Sequence, residues 1–409
     1  MNNKWIRAAI PALMIHCSVG TVYCWSTFKQ TIAKQIGMSD FAVGWAFSLA
    51  IFFLGMSAAF AGRFVERDIH KSSLIACLCF TVGMLGTGAV IQFASGWVAL
   101  IGIYLFYGVI MGIGLGVGYL TPVKTLMLWF SEHKGLATGI SIMGFGLAKA
   151  IATPIMEALQ GSFGISAMFY ILGAIYFILM FVAHLILKKP DNWEEPKEKR
   201  KSNAGLMIKN KQFIGIWLMF YINIHCGLMI ISYEKQILNT VFMGMAVLTV
   251  MLSVIPSVTA GFNAFGRIGY STLSDKFKER NTVYEIIFFS SIVITGLTIV
   301  THSLTNGALA FIVIAFLVVI NAGYGGGFST LPALLSERFG MDNISEIHGL
   351  ALSAWAIAGL TGNNTSEIIL NITNNNFEIV LLVGLVLYTV AFFISTFIVK
   401  NKNKFQNIA

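Results

Sequence analysis

The stretch KKPDNWEEPKEKRKSNAG, residues 188–205, is a charged, proline-containing passage in a chain that is otherwise rich in apolar residues. The apolar residues on either side of it fall into blocks of about 20, and each block is long enough to cross a bilayer of about 30 Å as a helix. The predicted spans are 6–28, 41–62, 73–94, 98–127, 136–158, 167–187, 213–232, 244–270, 284–302, 308–332, 348–369 and 378–399. The pattern predicts an all-α polytopic membrane protein with twelve transmembrane helices, in which a cytoplasmic linker at 188–212 joins an N-terminal six-helix bundle, 1–187, to a C-terminal one, 213–409.

The composition agrees with a membrane protein. The chain has 409 residues, of which only 11% are charged, against about 25% in soluble domains, and its mean hydropathy is +0.78. Most of its 27 Lys and Arg residues lie in alternate loops, and the positive-inside rule places such loops in the cytoplasm. We therefore expect a multi-pass protein of the plasma (inner) membrane, with both termini cytoplasmic. The net charge of +9 then reflects topology and does not indicate a nucleic-acid partner.

The chain shows no sequence signature of a metal site or of an enzyme. Its five cysteines all lie within apolar spans, at spacings that fit no metal site and do not favour structural disulfides. No cluster of His, Asp and Glu and no nucleophile arrangement stands out. We expect neither a metal nor another cofactor, and no enzymatic activity.

Three cations, Lys124, Lys149 and Arg267, fall inside the apolar spans. An ionisable residue in hydrocarbon is costly, so it usually faces a cavity and has a partner. No acid lies close to any of them in sequence at a similar depth, which makes an anionic substrate the natural partner. The alternatives are snorkelling to the cytoplasmic edge for Lys124 and Arg267, and a structural lysine bonded to neighbouring carbonyl groups for Lys149.

The two halves of the chain repeat each other weakly but in order. Ile-His-Cys at 15–17 recurs at 224–226, and Gly-Leu-Ala at 135–137 recurs at 349–351. Two related halves, parallel across the membrane normal, resemble the plan of the major facilitator superfamily, which places the binding site between the halves near the midplane. The repeat also pairs His16 with His225. Both are candidates for a proton relay, and hydrogen bonding between helices is the alternative.

Two loops at matching positions carry acids next to bases. Residues 62–71 read GRFVERDIHK and resemble the facilitator signature G-x-x-x-D-R-x-G-R-K, and residues 273–280 read LSDKFKER. Acid and base on such a turn can pair with the neighbouring helix and latch one gating state; a solvated basic loop is the alternative. The candidate gating residues are Glu66, Arg67, Asp275 and Lys276.

Finer motifs resemble the oxalate/formate antiporter family, which is close to the monocarboxylate transporters. They are GTVYCWSTF at 20–28, GYLTP at 118–122, NAFGRI at 263–268 and YGGGFSTLPA at 324–333. The resemblance implies a secondary transporter of small carboxylates in which the span 8 arginine contacts the substrate. That role falls on Arg267, whose planar guanidinium matches a carboxylate.

The predicted site also includes aromatic residues, and it departs from that family at one point. Tyr23, Tyr119, Tyr324 and Trp355 come from spans 1, 4, 10 and 11, and they can line a cavity and donate to a carboxylate; ordinary helix packing is the alternative. Oxalate-transporting relatives use a lysine in span 11, whereas residues 349–370 contain no Lys or Arg. The departure puts oxalate itself in doubt as the substrate.

These patterns predict a transporter of small organic anions that works by alternating access. Its substrates would be carboxylates such as oxalate, formate, lactate or pyruvate, and we expect anion exchange by a monomer whose partners are the anion and the lipid bilayer. The alternatives are a proton-coupled monocarboxylate symporter, with His16 or His225 as the proton carrier, and a non-transporting membrane sensor.

Overall fold

The computed structural model describes residues 3–191, 204–243, 248–301 and 306–400, without the side chains of residues 66, 248–251, 253, 306–308 and 363. Twelve long helices form in these ranges. They are α1 (Trp5–Ile36), α2 (Asp40–Arg67), α3 (Ile69–Phe93), α4 (Gly96–Trp129), α5 (Lys134–Phe163), α6 (Ile165–Ile186), α7 (Lys211–Ile231), α8 (Leu248–Ser274), α9 (Thr282–Val300), α10 (Asn306–Phe339), α11 (Ile344–Ile372) and α12 (Phe377–Val399). Two short helices, Ala204–Met207 and Glu234–Phe242, flank α7.

The predicted all-α membrane fold with two six-helix bundles is confirmed. Within the described ranges, ten of the helices are long and apolar enough to cross a membrane. The two that this count leaves out are α8 and α11, with 27 and 29 residues. Both carry many Ser, Thr and Asn residues and pack against the opposite bundle, so part of their surface faces protein and not lipid. The predicted bundle and linker boundaries stay a prediction, because residues 192–203 lie outside the described ranges.

Several helices, among them α1, extend beyond the apolar blocks from which they were predicted. The first block ends at residue 28, but α1 continues to Ile36 with polar residues on one face. Gly37 then ends the helix in a left-handed conformation, with φ of 70° and its N–H bonded to the carbonyl of Ala33. Hydropathy identifies only the part of a helix that lies in lipid, so it places the ends too early.

The two bundles meet along α2 with α11 and along α5 with α8. Glycines permit the close approach: a Cβ at Gly62 would overlap the carbonyl of Ser345, and one at Gly135 would overlap the carbonyl of Ser271. Small residues at helix contacts of this kind let two backbones approach each other and slide. The interface between the bundles is therefore built from backbone-to-backbone contacts.

One end of the bundle, which we call the basic end, carries Arg7, Lys188, Arg280 and Lys400. The N–H of Lys188 donates to the carbonyl of Arg7 over 3.0 Å, which joins the end of α6 to the start of α1. The Nζ of Lys400 lies 3.2 Å from a carboxylate oxygen of Glu285 in α9. We call the end of the bundle that lies away from the basic end the opposite end.

Within the N-terminal bundle, Gly116 of α4 lies directly against α2, where a Cβ would overlap the carbonyl oxygen of Leu54 and the hydroxyl of Ser57. We expect Gly116→Ala to destabilise the protein by about 1–3 kcal/mol, the usual cost of overpacking. Thermal unfolding of the purified protein in detergent measures the effect. Gly161→Ala is the matched control, because no atom lies within 4 Å of a Cβ there. Equal melting temperatures for the two variants would contradict the close packing of α2 and α4.

Candidate functional site

Arg267 lies in α8 at the interface between the bundles, and its side chain is 1% exposed. Its Nε donates to the Oδ1 of Asn263 over 3.1 Å, and its Nη1 donates over 3.4 Å to the carbonyl of Ile142 in α5 of the other bundle. A snorkelling side chain would end in solvent at the membrane edge. The burial and the contact across the interface instead place this guanidinium between the two halves.

An aromatic frame surrounds the guanidinium. Its Cζ lies 5.9 Å from the ring centre of Phe145 and 5.3 Å from that of Phe328, which is within the range of a cation–π interaction. The indole of Trp355 packs on both rings, with centroid distances of 5.6 Å and 4.5 Å. Tyr119 packs on Trp355 at 5.6 Å. Four helices, α4, α5, α10 and α11, thus enclose the cation on α8.

Phe145 and Phe328 were not among the predicted site residues. Both lie in glycine-rich stretches, MGFG at 143–146 and YGGGF at 324–328, but an apolar ring alone does not indicate a binding role. The glycines supply the room: a Cβ at Gly146 would lie 3.0 Å from the Nε of Arg267. The glycines of these two stretches are the sequence signal that could have identified Phe145 and Phe328 as neighbours of the cation.

Two further predicted residues bridge the halves beside the cation. The hydroxyl of Tyr23 in α1 lies 3.2 Å from the hydroxyl of Tyr324 in α10. Arg267 also lies close enough to the Tyr23 hydroxyl to interact with it by charge and hydrogen bonding. Tyr23 itself falls in a tight 3₁₀ turn, Gly20–Cys24, that interrupts α1, and such turns often mark functional hinges.

The structure therefore brings five of the predicted residues together in one cluster. They are Arg267, Tyr23, Tyr119, Tyr324 and Trp355. Two of them, Tyr119 and Trp355, are fully buried, and the Tyr119 Oη and Trp355 Nε1 have no hydrogen-bond partner among the described residues. A buried donor without a partner costs free energy, so it calls for a ligand or water. The cluster presents one fixed cation and several hydrogen-bond donors, an arrangement that suits an anion.

The two lysines lie elsewhere. Lys149 is exposed, and its ammonium interacts electrostatically with Cys24 of α1 and with Glu234 on the short helix after α7. Glu234 is buried and accepts a hydrogen bond of 2.6 Å from the Oγ1 of Thr259. Lys124 is buried in α4, where it interacts with another group of the protein. The substrate contacts predicted for both lysines stay predictions.

Both predicted proton-relay histidines are bonded inside their own half. The Nδ1 of His16 lies 2.5 Å from the carbonyl of Ser141 in α5, and its Nε2 lies 3.2 Å from the carbonyl of Tyr119 in α4. The Nδ1 of His225 lies 3.0 Å from the Oγ1 of Thr361 in α11. These contacts favour the alternative of hydrogen bonding between helices.

The basic end holds a latch between the halves. The Oδ1 and Oδ2 of Asp275 accept hydrogen bonds of 2.9 Å from the backbone N–H groups of Gly135 and Leu136. These are free N–H groups of the first turn of α5, where the helix dipole favours an anion. The Nη1 of Arg280 lies 2.5 Å from the same carboxylate. A residue after α8 thus caps a helix of the other bundle.

On the other side of the basic end, α2 and α11 are joined by an ion pair. The Nε of Arg63 lies 3.9 Å from the Oε1 of Glu346. Neither residue was predicted to gate. Of the other predicted gating residues, Arg67 and Lys276 are exposed, and the side chain of Glu66 lies outside the described part of the structure. The loop motifs indicated Asp275, which crosses the interface, but not the pair of Arg63 with Glu346.

The architecture defines a class: a multi-pass helical membrane transporter made of two six-helix halves. Residues 12–363 match the Major Facilitator Superfamily, and the chain belongs to that family. It is 24% identical to the oxalate:formate antiporter of Oxalobacter formigenes, over 98% of this chain and 92% of that protein. It is also 24% identical to monocarboxylate transporter 4 of Gallus gallus, over 90% of this chain and 76% of the relative. As a member of a transporter family, the protein is a transporter and not an enzyme.

Solved structures share the fold. The proton:xylose symporter XylE, bound to 6-bromo-6-deoxy-D-glucose, superposes with a TM-score of 0.72 at 15% identity and covers 97% of both chains. A bacterial homologue of the iron transporter ferroportin, in an outward-facing state, superposes with a TM-score of 0.75 at 12% identity, covering 95% of this chain and 97% of the other. At these identities the likeness concerns the fold alone.

Proposed function

We propose that the protein exchanges small organic anions, of the carboxylate class, across the membrane by alternating access. The observation that carries this proposal is the position of Arg267, buried between the halves inside an aromatic frame. The relatives named as an oxalate:formate antiporter and as a monocarboxylate transporter support the same substrate class. The guanidinium would hold the carboxylate through two parallel N–H donors.

The electrostatics of this site support exchange as the mode of transport. A buried cation is costly without a counter-charge, and the approach of an anion removes that cost. If the halves reorient readily only when a bound anion neutralises Arg267, each reorientation carries an anion. The protein would then carry one anion inward and another outward. The contacts of His16 and His225 support exchange over proton symport, because both nitrogens of His16 and the Nδ1 of His225 already lie against hydrogen-bond partners within their own halves.

The two latches would act as the gate at the basic end. From the positive-inside rule we propose that this end and both termini are cytoplasmic, and we propose the plasma (inner) membrane as the location. The Asp275 and Arg63 contacts close this end, so the state described here would load its substrate from the opposite end. We propose that the protein does this as a monomer.

Counterflow in proteoliposomes tests the proposal. Purified protein is reconstituted, and uptake of labelled oxalate, formate, lactate and pyruvate is measured with and without unlabelled anion inside. We expect uptake of at least one carboxylate to require the internal anion and to persist when a protonophore removes the pH gradient. Uptake of none of these carboxylates would overturn the proposed function. Uptake driven by a pH gradient without an internal anion would overturn exchange.

A further inference from the structure

His348, in the first turns of α11, is a buried residue that the sequence analysis did not single out. Its side chain is 2% exposed, and its Nε2 has no hydrogen-bond partner among the described residues. Its ring lies 5.9 Å from the ring of Tyr119, which belongs to α4 of the other bundle. One nitrogen of a buried imidazole therefore has no hydrogen-bond partner among the described residues, at a point where α11 meets α4 of the other bundle.

His348 continues the aromatic cluster around Arg267. Tyr119 contacts the His348 ring and also the Trp355 ring, at 5.9 Å and 5.6 Å. Trp355 in turn packs on Phe328, one of the two rings beside the guanidinium. We call Tyr119, His348 and Trp355 the donor triad, because each has a buried polar atom without a partner in the described structure.

The chemistry of the donor triad differs from that of Arg267. The indole N–H only donates, the phenol can donate, and a neutral imidazole donates from one nitrogen. None of the three needs to carry a charge. Donors of this kind suit an uncharged oxygen, such as a carbonyl or hydroxyl, whereas Arg267 suits a carboxylate.

We propose that His348 is a substrate-binding residue, and that the donor triad selects monocarboxylates bearing a second, uncharged oxygen next to the carboxylate, such as 2-oxo or 2-hydroxy acids. This inference rests on the proposed function of the same site. The carboxylate would bind Arg267, and the neighbouring oxygen would bind the donor triad. A second carboxylate would bring a second negative charge, and residues 349–370 of α11 provide no Lys or Arg to balance it.

Three probes that differ only in the group next to the carboxylate test the inference: acetate, glyoxylate and oxalate. Their affinities are measured by calorimetry on the purified protein in nanodiscs. We expect glyoxylate to bind about tenfold more tightly than acetate, the effect of one or two neutral hydrogen bonds, and more tightly than oxalate. His348→Leu should remove the preference for glyoxylate and leave the affinity for acetate unchanged.

Two further variants separate hydrogen bonding from charge. His348→Gln keeps a neutral donor and should retain the preference for glyoxylate, whereas His348→Lys adds a cation and should shift the preference to oxalate. These two variants also test the role of His348 if the leucine variant does not fold. His184→Gln is the matched control, because the Nδ1 of that histidine in α6 lies 2.8 Å from the Oγ of Ser73 in α3, and it should leave the three affinities in their wild-type order.

The outcomes distinguish this inference from the proposed function. If the wild type binds acetate and glyoxylate equally, or if His348→Leu weakens both alike, the role of His348 is overturned while carboxylate binding stands. If oxalate binds most tightly to the wild type and is lost in His348→Gln, the residue acts as a cation and the selection of monocarboxylates is wrong. If no probe binds the wild type, the proposed function itself fails.

Discussion

Arg267→Gln is expected to lower carboxylate exchange at least about a hundredfold, because two charge-assisted hydrogen bonds are each worth about 1.5–3 kcal/mol. The buried glutamine cannot neutralise the charge of an anion that has left water. Its amide nitrogen can still donate to Asn263, as the Nε of the arginine does, so we expect the fold to survive. Counterflow uptake of the best carboxylate in proteoliposomes, normalised to the reconstituted protein, measures the loss.

Two comparisons make this result specific. Arg267→Lys keeps the charge but loses the planar fork and the stacking between Phe145 and Phe328, so we expect it to fail as well. Lys34→Gln removes an exposed cation near the end of α1 and should keep wild-type exchange. Full exchange by Arg267→Gln would show that the substrate binds elsewhere.

Asp275→Ala is expected to shift the protein toward a state that is open at the basic end, by at least about tenfold in the equilibrium constant. The variant loses two hydrogen bonds from a carboxylate to the first turn of α5, and bonds to charged groups are worth about 1.5–3 kcal/mol each. It also leaves Arg280 without one of its acidic partners. Spin labels at the exposed positions 71 and 278, one in each half, report the distance between the two sides of this end.

The neighbouring residue supplies the control. Lys276 is exposed, so Lys276→Ala should leave the distance distribution unchanged. In Asp275→Ala a longer distance should gain population, and uptake should slow because the closed state is needed to load from the opposite end. An unchanged distance distribution in Asp275→Ala would mean that the Asp275 cap does not hold the halves together.

Much of the fold follows from local sequence. An apolar block of about 20 residues has few alternatives to a transmembrane helix, because backbone groups must be satisfied within the segment. Arg267 could also be recognised from the sequence as a candidate site residue, because a cation inside an apolar block is rare. Helix ends were less predictable: the turn at Gly37 and the cap on α5 depend on particular side chains beyond the apolar block.

The contacts across the interface could not be predicted. Glu234 belongs to a loop in the sequence, but the short helix after α7 buries it near Lys149. This places a carboxylate in the surroundings of a lysine for which the sequence offered none. His348 lies at the edge of a predicted span, and only the packing of α11 against α4 reveals that it adjoins Tyr119. Such pairs are set by the register of helices far apart in the chain.

The described acids of the two loops at the basic end, Asp68 and Asp275, have different partners. Asp275 reaches across the interface, whereas Asp68 at the matching loop stays in its own half and accepts from the N–H groups of His70 and Lys71, at 3.0 Å and 2.9 Å. The bond from the Lys71 N–H is the main cause that lowers the pKa of Asp68 below its ordinary value.

The ion pair described between α2 and α11 is the more exposed of the two described pairs. The 3.9 Å ion pair of Arg63 with Glu346 includes an arginine side chain that is 45% exposed, and solvent and salt screen such a pair. Asp275, by contrast, is 9% exposed where it pairs with Arg280. Of these two described pairs, raising the ionic strength would therefore weaken Arg63–Glu346 before it weakens Asp275–Arg280.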